Sequence, residues 1–243
     1  MTGRLQDKVA VVVGATSGMG RATAALFARE GASLVLAGRR AGLLQEVGEQ
    51  LVSETGNVAL GVPCDVRERA QVESMIHLAR AQFGRIDVLV YATGINIPDR
   101  SLDRLTPAIW ENMVVTNLTG AYHCTQLVVP VMREQGEGLI VYVSTGGARR
   151  ADVSGIAYQA SKCGLDGIAG GTMAEEKGNG IRTSVLYPGL CDTPLVLQRP
   201  APTPPEVMQH ALQPEDVAEA CLFVASLPPR CHVPELVLLP SRL

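Results

Sequence analysis

Tyr158 and Lys162 lie four positions apart in Tyr158-Gln159-Ala160-Ser161-Lys162. On a helix that spacing puts both side chains on one face. A free phenol titrates at about 10 and trades protons poorly at neutral pH. An ammonium beside it stabilises the phenolate and lowers that value. The pair therefore reads as a proton donor or acceptor for an oxygen that alternates between carbonyl and hydroxyl. Alone it is weak, because such pairs are common on helix surfaces.

Well upstream, Gly14-Ala15-Thr16-Ser17-Gly18-Met19-Gly20 follows the apolar run Val9–Val13 and opens a helix near Gly18. Gly14 permits a tight turn, while Gly18 and Gly20 let backbone and a pyrophosphate approach closely. The amide-rich helix start then faces negative charge. Thr16, Ser17 and Met19 sit between the glycines and join them as candidate cofactor contacts. The second strand ends Leu36-Ala37-Gly38-Arg39-Arg40. A carboxylate there would bind an NAD ribose, but two arginines stand in its place. A guanidinium pairs with a 2′-phosphate through charge-assisted bonds, so the expected cofactor is NADP(H) rather than NAD, with Arg39 the main contact. The plainer alternative is that both arginines open the next helix on a solvated face. Asp65, followed by Val66, ends the third strand. Its carboxylate is placed either to accept from an adenine amino group or to cap the next helix.

Strand-length apolar runs alternate with amphipathic helical segments along the chain. Strands are expected at 8–13, 33–37, 58–62, 86–91, 138–143, 181–187 and 235–239. Helices are expected at 18–30, 40–54, 67–83, 106–132, 155–177 and 214–226. Such alternation predicts an α/β parallel sheet with helices on both faces. The exception is 193–213, which holds Pro194, Pro200, Pro202, Pro204 and Pro205 and cannot form a long regular helix. It is either a lid over a substrate or a surface connector.

The 243 residues, 47% hydrophobic and 19% charged, suit a single domain with a well-buried core. A formal charge of −3 favours neither nucleic acid nor anionic membranes as partners. The apolar runs are too short to span a bilayer, and no signal segment opens the chain. A cytoplasmic protein is expected. The six cysteines are scattered and the four histidines lack paired ligand spacing, so free thiols and no metal are expected.

In combination these residues resemble the short-chain dehydrogenase/reductase family across essentially all 243 residues. The resemblance rests on Gly14, Gly18 and Gly20, Asp65, Asn117 in Val115-Thr116-Asn117-Leu118, Ser144-Thr145, Tyr158 with Lys162, and Pro188-Gly189. It implies a Rossmann-type, doubly wound sheet of about seven strands. It makes Tyr158 the acid/base and gives Lys162 the tasks of binding ribose and tuning Tyr158. Asn117 would help hold a water in a proton relay with Lys162. Pro188, Gly189 and Thr193 would line the nicotinamide, and Ala92 and Gly94 the cofactor's flank. Three departures stand out. The family's serine thirteen positions before the tyrosine is Thr145 here, with Ser144 one residue earlier. Both hydroxyls are candidates to polarise a carbonyl, and the other would merely bond backbone. Val90-Tyr91-Ala92-Thr93-Gly94 replaces the family's Asn-Asn-Ala-Gly. Val13 stands where a threonine often opens the glycine motif.

The expected activity is NADP-dependent carbonyl reduction or alcohol (CH–OH) oxidation on a small molecule. Alternatives are a 3-oxoacyl-thioester reductase of fatty-acid or polyketide type, and a non-catalytic NADP-binding sensor. Arg149 and Arg150, near the expected pocket, either recognise an acidic group or sit on a solvated loop. Ala160, Gly164, Gly167 and Gly171 stripe the helix at 155–177. Helical glycine costs about 1 kcal/mol relative to alanine, so close packing is expected there, on the chain's own sheet or on a second subunit. The resemblance implies a homo-dimer or homotetramer.

Overall fold

The structure is a computed structural model, and it describes residues 3–243. Seven strands form one parallel sheet: β1 Val9–Val13, β2 Ser33–Gly38, β3 Ala59–Pro63, β4 Val88–Tyr91, β5 Gly138–Val143, β6 Ile181–Pro188 and β7 Glu235–Leu238. Their order is β3-β2-β1-β4-β5-β6-β7. Each of the seven expected strands is present within two residues.

Continuous apolar strands follow from a sheet covered on both faces, because neighbouring side chains point to opposite sides. In β1, Val11 and Val13 face one core and Ala10 and Val12 the other. The second core is closed by α1 Gly18–Arg29, α2 Ala41–Thr55 and, further along the chain, the helix Pro214–Ser226. The first is closed by α3 Arg69–Phe83 together with the helices that follow β4 and β5. Full burial of valine or leucine contributes about 1.5–3 kcal/mol per side chain, so the two cores supply most of the driving force for folding.

The helix expected over 106–132 is interrupted. α4 Pro107–Val114 passes into a π-helical turn at Val115–Thr119, and α5 Gly120–Gln135 follows. The register change has a visible cause. Gly120 sits against the Tyr91 hydroxyl and Val66, where an added Cβ would lie 2.6 Å from each. Tyr91 also donates to the Thr116 carbonyl at 2.5 Å, drawing that carbonyl out of the α ladder. α6 Ile156–Glu176 carries Tyr158 and Lys162.

The proline-rich stretch forms no long helix. It holds a 3₁₀ turn at Pro194–Gln198 and a single helical turn, α7 Pro205–Met208. Its two ends meet where Cys191 bridges Leu212 and the Leu212 amide donates to Leu190 O at 2.9 Å. The excursion thus leaves and re-enters the fold at one point. α8 Pro214–Ser226 then leads to the edge strand β7. Among the described residues no helix is long and apolar enough to cross a membrane.

Candidate active site

Sheet order reverses between β1 and β4, and ligands of such sheets bind outside the strand ends at this point. A cleft of about 550 Å³ lies there. Its walls include Gly14, Thr16, Ser17, Gly18, Met19, Arg39, Asp65, Val66, Ala92, Gly94, Tyr158, Lys162 and Thr193. A second cleft of about 430 Å³ adjoins it, bounded by Thr145, Pro188, Gly189 and the start of the proline-rich excursion. Ser144, Tyr158, Thr193, Met19 and Leu195 border both.

The glycine turn has the shape of an anion cradle. Gly14 adopts φ +92 and Gly18 φ +53, where side chains are strained. A Cβ on Gly14 would press on the Ala92–Thr93 peptide at 3.0 Å. The α1 start has no side-chain cap and no acid in its first turn, so its amides stay available to a ligand anion. The site's residues therefore fit a dinucleotide. Gly20 is different: it lines neither cleft, and a Cβ there would meet the Gly14 carbonyl at 2.3 Å. Its task is to seat α1 on the turn, not to admit a ligand.

Arg40 reaches back over this turn, donating to Ser17 Oγ at 2.9 Å and also to the Thr16 hydroxyl. Arg39 makes no side-chain hydrogen bond among the described residues and borders the cleft mouth. Asp65 is gripped by Arg67, whose Nε donates to both carboxylate oxygens at 3.0 Å. That guanidinium holds the Asp65 carboxyl below the usual carboxylate range. Asp65 also accepts from the Arg67 amide at 3.1 Å, but α3 is capped one turn later, at Glu68.

Lys162 is almost wholly buried with no carboxylate against it. Its Nζ donates to Val143 O at 2.9 Å and Thr93 O at 3.2 Å, joining the ends of β5 and β4. Burial pushes the ammonium down to about 8. Gly94 leaves room beside it: a Cβ there would lie 3.0 Å from Nζ and press on the ammonium. Asn117 lies in the π-helical turn, fully buried behind the cleft wall. Its Oδ1 accepts from the Ile95 amide at 2.8 Å, and its Nδ2 donates to Ile95 O and Ser161 Oγ at 3.0 Å. The amide braces the loop after β4 and leaves little for a water relay.

Tyr158 corrects one expectation. Burial dominates and pushes its phenol up to about 12; the Thr145 hydroxyl and the charge of Arg100 pull it back in part. Lys162, whose Nζ is turned to the two carbonyls, is not among the groups lowering it. The two candidate hydroxyls diverge. Both border the second cleft, but the Ser144 hydroxyl is spent inward on Lys162 O at 3.2 Å, whereas the Thr145 hydroxyl acts on the Tyr158 phenol. A one-residue step along an extended segment reverses which way a side chain points.

Arg149 is committed elsewhere. It stacks 4.2 Å over the Tyr187 ring, donates to that residue's hydroxyl, and pairs with Asp166 and Glu235. Arg150 is exposed at the second cleft. Arg100 also borders it. No local sequence signal marks Arg100.

A parallel sheet with a switch-point cleft and an anion cradle defines a Rossmann-type nucleotide-binding protein. The chain belongs to the short chain dehydrogenase family, whose sequence pattern matches residues 8–202. It is 36% identical over 227 residues to a cis-4-hydroxycyclohexanecarboxylate dehydrogenase of Sinomonas cyclohexanicum, covering 90% of each chain. An alcohol dehydrogenase of Thermococcus sibiricus, solved with 5-hydroxy-NADP, superposes with a TM-score of 0.88 at 28% identity, covering 97% of each chain. A 3-ketoacyl-(acyl-carrier-protein) reductase of Brucella melitensis, solved with NADH, gives 0.89 at 27% identity, covering 98% of this chain and 99% of that one. The protein is therefore an oxidoreductase of this family.

The buried lysine makes stability depend on pH. Its value is about 8 in the fold and 10.5 ordinarily, so between these the unfolded chain holds the extra proton. The burial penalty is complete below about 8 and is relieved as pH climbs towards 10.5. Urea unfolding of wild type and Lys162→Met at pH 7.5 and pH 10 should show wild type gaining on the variant at the higher pH. Parallel midpoints would mean that the ammonium is not desolvated.

Proposed function

We propose that the protein interconverts a ketone and a secondary alcohol using NADP(H), with Tyr158 as the general acid/base. The carrying observation is the junction of the two clefts, where Tyr158 borders both and Thr145 stands beside it. NADP(H) bound in the first cleft would supply or take up the hydride. The α1 amides receive its pyrophosphate, Arg39 its 2′-phosphate with Arg40 behind it, and Asp65 and Val66 flank the adenine. Lys162, still charged at pH 7, donates to the nicotinamide ribose. Pro188, Gly189 and Thr193 wall the nicotinamide end.

Thr145 holds the substrate oxygen in line with the phenol, and Tyr158 gives that oxygen a proton or removes one. A phenol kept protonated by burial suits donation to a forming alkoxide. Ser144 supports α6 from behind. The segment 193–213, pinned at its base, closes over the second cleft and excludes water.

The Thermococcus sibiricus complex supports NADP, and the Brucella melitensis complex with NADH points the other way. Two arginines and no acid after β2 favour NADP here. A second reading, 3-oxoacyl-thioester reduction, draws on the likeness to that Brucella reductase; dependence of the rate on an acyl carrier separates the two. Gly167, Gly170 and Gly171 on α6 have open space beside them, and Tyr122 on α5 is exposed. These surfaces support a homo-dimer or homotetramer. Six unbridged cysteines agree with a reducing, cytoplasmic setting.

Tyr158→Phe should lower kcat by at least about 100-fold while NADPH still binds, read by steady-state kinetics and calorimetry; surviving activity would displace Tyr158 as proton carrier. Thr145→Val should cost about 100-fold in kcat and Ser144→Ala far less. The reverse ranking would assign the hydroxyl to Ser144. Arg39→Ala should weaken NADPH by about 10- to 100-fold and leave NADH nearly unchanged. Equal losses would remove the 2′-phosphate contact.

A further inference from the structure

The second cleft holds four arginines, Arg100, Arg149, Arg150 and Arg199, against one acid, Asp152. Arg149 is already satisfied by its stacking and ion pairs. Arg100 is the opposite case. It is 9% exposed, and its side chain makes no hydrogen bond or ion pair among the described residues. Its Nε is enclosed without any acceptor. Guanidinium does not deprotonate to escape burial, so an unpartnered one is a standing cost to the fold. Burial and the nearby charge of Arg199 both disfavour the cation. Asp152 relieves it only in part: its charge acts on Arg100 from a distance, but no ion pair forms between them and the Asp152 carboxylate accepts from the Ser154 amide at 2.8 Å.

The backbone makes this placement hard to relax. Gly155 precedes α6 at φ +89, and a Cβ there would lie 3.0 Å from both the Arg100 carbonyl and its Cβ. Arg100 is thus wedged between the loop after β4 and the start of the helix that carries Tyr158.

We infer that the substrate carries a carboxylate and that Arg100 receives it in the second cleft. This rests on the reading of that cleft as the substrate side of an oxidoreductase. A carboxylate matches the planar fork of a guanidinium with two parallel bonds. Arg199, on the excursion that closes the cleft, adds a second positive group from above. Arg100 and Tyr158 both border this cleft of about 430 Å³, so the acid group and the reacting carbon share one small space. The substrate class is therefore a small oxo-acid or hydroxy-acid, with both functions on one compact skeleton.

The test pairs a kinetic with a binding measurement on the full-length protein. With NADPH, 4-oxocyclohexanecarboxylate should be reduced with a kcat/KM about 100-fold above that of its methyl ester. Arg100→Met, which keeps the apolar stem, should bring that ratio close to one with NADPH affinity intact. Separately, calorimetry with NADP present should detect the unreactive cyclohexanecarboxylate but not cyclohexanecarboxamide, and Arg100→Met should abolish that binding. Carboxylate binding without turnover of any ketone would keep this inference and reject the proposed reaction. Equal handling of acid and ester, or carboxylate binding that survives Arg100→Met, would overturn it. So would efficient reduction of acetoacetyl-coenzyme A together with no preference for the free acid.

Discussion

One buried ammonium organises this site. Lys162 has no carboxylate to balance it, and two carbonyls at the ends of neighbouring strands hold it instead. Those carbonyls accept from Nζ only while β5, the loop after β4 and α6 keep their relative positions. Gly94 must lack a side chain to leave room, Asn117 must hold the loop after β4, and Ser144 must tie its hydroxyl to the Lys162 backbone. Each of these has a local hydrogen-bonding or steric reason, and all of them converge on the same charge.

The π-helical turn belongs to this arrangement. A continuous α-helix would not present the Thr116 carbonyl to Tyr91 while Asn117 pairs with the Ile95 backbone. Single-turn π segments inside helices often mark functional sites, and here the extra residue sets the wall behind the cleft. Tyr91 stands within the stretch that departs from the usual asparagine pair of the family. Its hydroxyl braces the end of β4 against the π-helical turn through the Thr116 carbonyl.

Much of the architecture was legible beforehand, for physical reasons. Unbroken runs such as Val9–Val13 have few destinations other than a strand covered on both faces, and the glycine turn was recognisable from its strand–turn–helix setting. Tyr158 and Lys162 were legible as a pair, but not the direction of the phenol's shift: helical spacing says nothing of burial, and burial sets that direction. Ser144 and Thr145 could not be separated, because a one-residue step at a strand end decides which hydroxyl faces the cleft. Arg149 looked available for a ligand, yet residues far along the chain, Tyr187, Asp166 and Glu235, had claimed it. Arg100 was invisible for the converse reason. Its isolation is a matter of what fails to approach it in three dimensions. The Val115–Thr119 turn has an ordinary helical composition, and only Gly120 meeting Tyr91 and Val66 reveals the break.

The contact between Gly155 and Arg100 carries a consequence for how such a protein diversifies. The glycine that opens the helix carrying Tyr158 is pressed on the backbone and Cβ of Arg100, at the edge of the second cleft. Insertions or deletions in the loop around position 100 would therefore shift the origin of that helix, and with it the phenol. Exchanging the side chain at 100 alone would not. The lining of the second cleft and the position of the phenol are thus set separately at this edge: side-chain identity at 100 governs the first, and loop length governs the second.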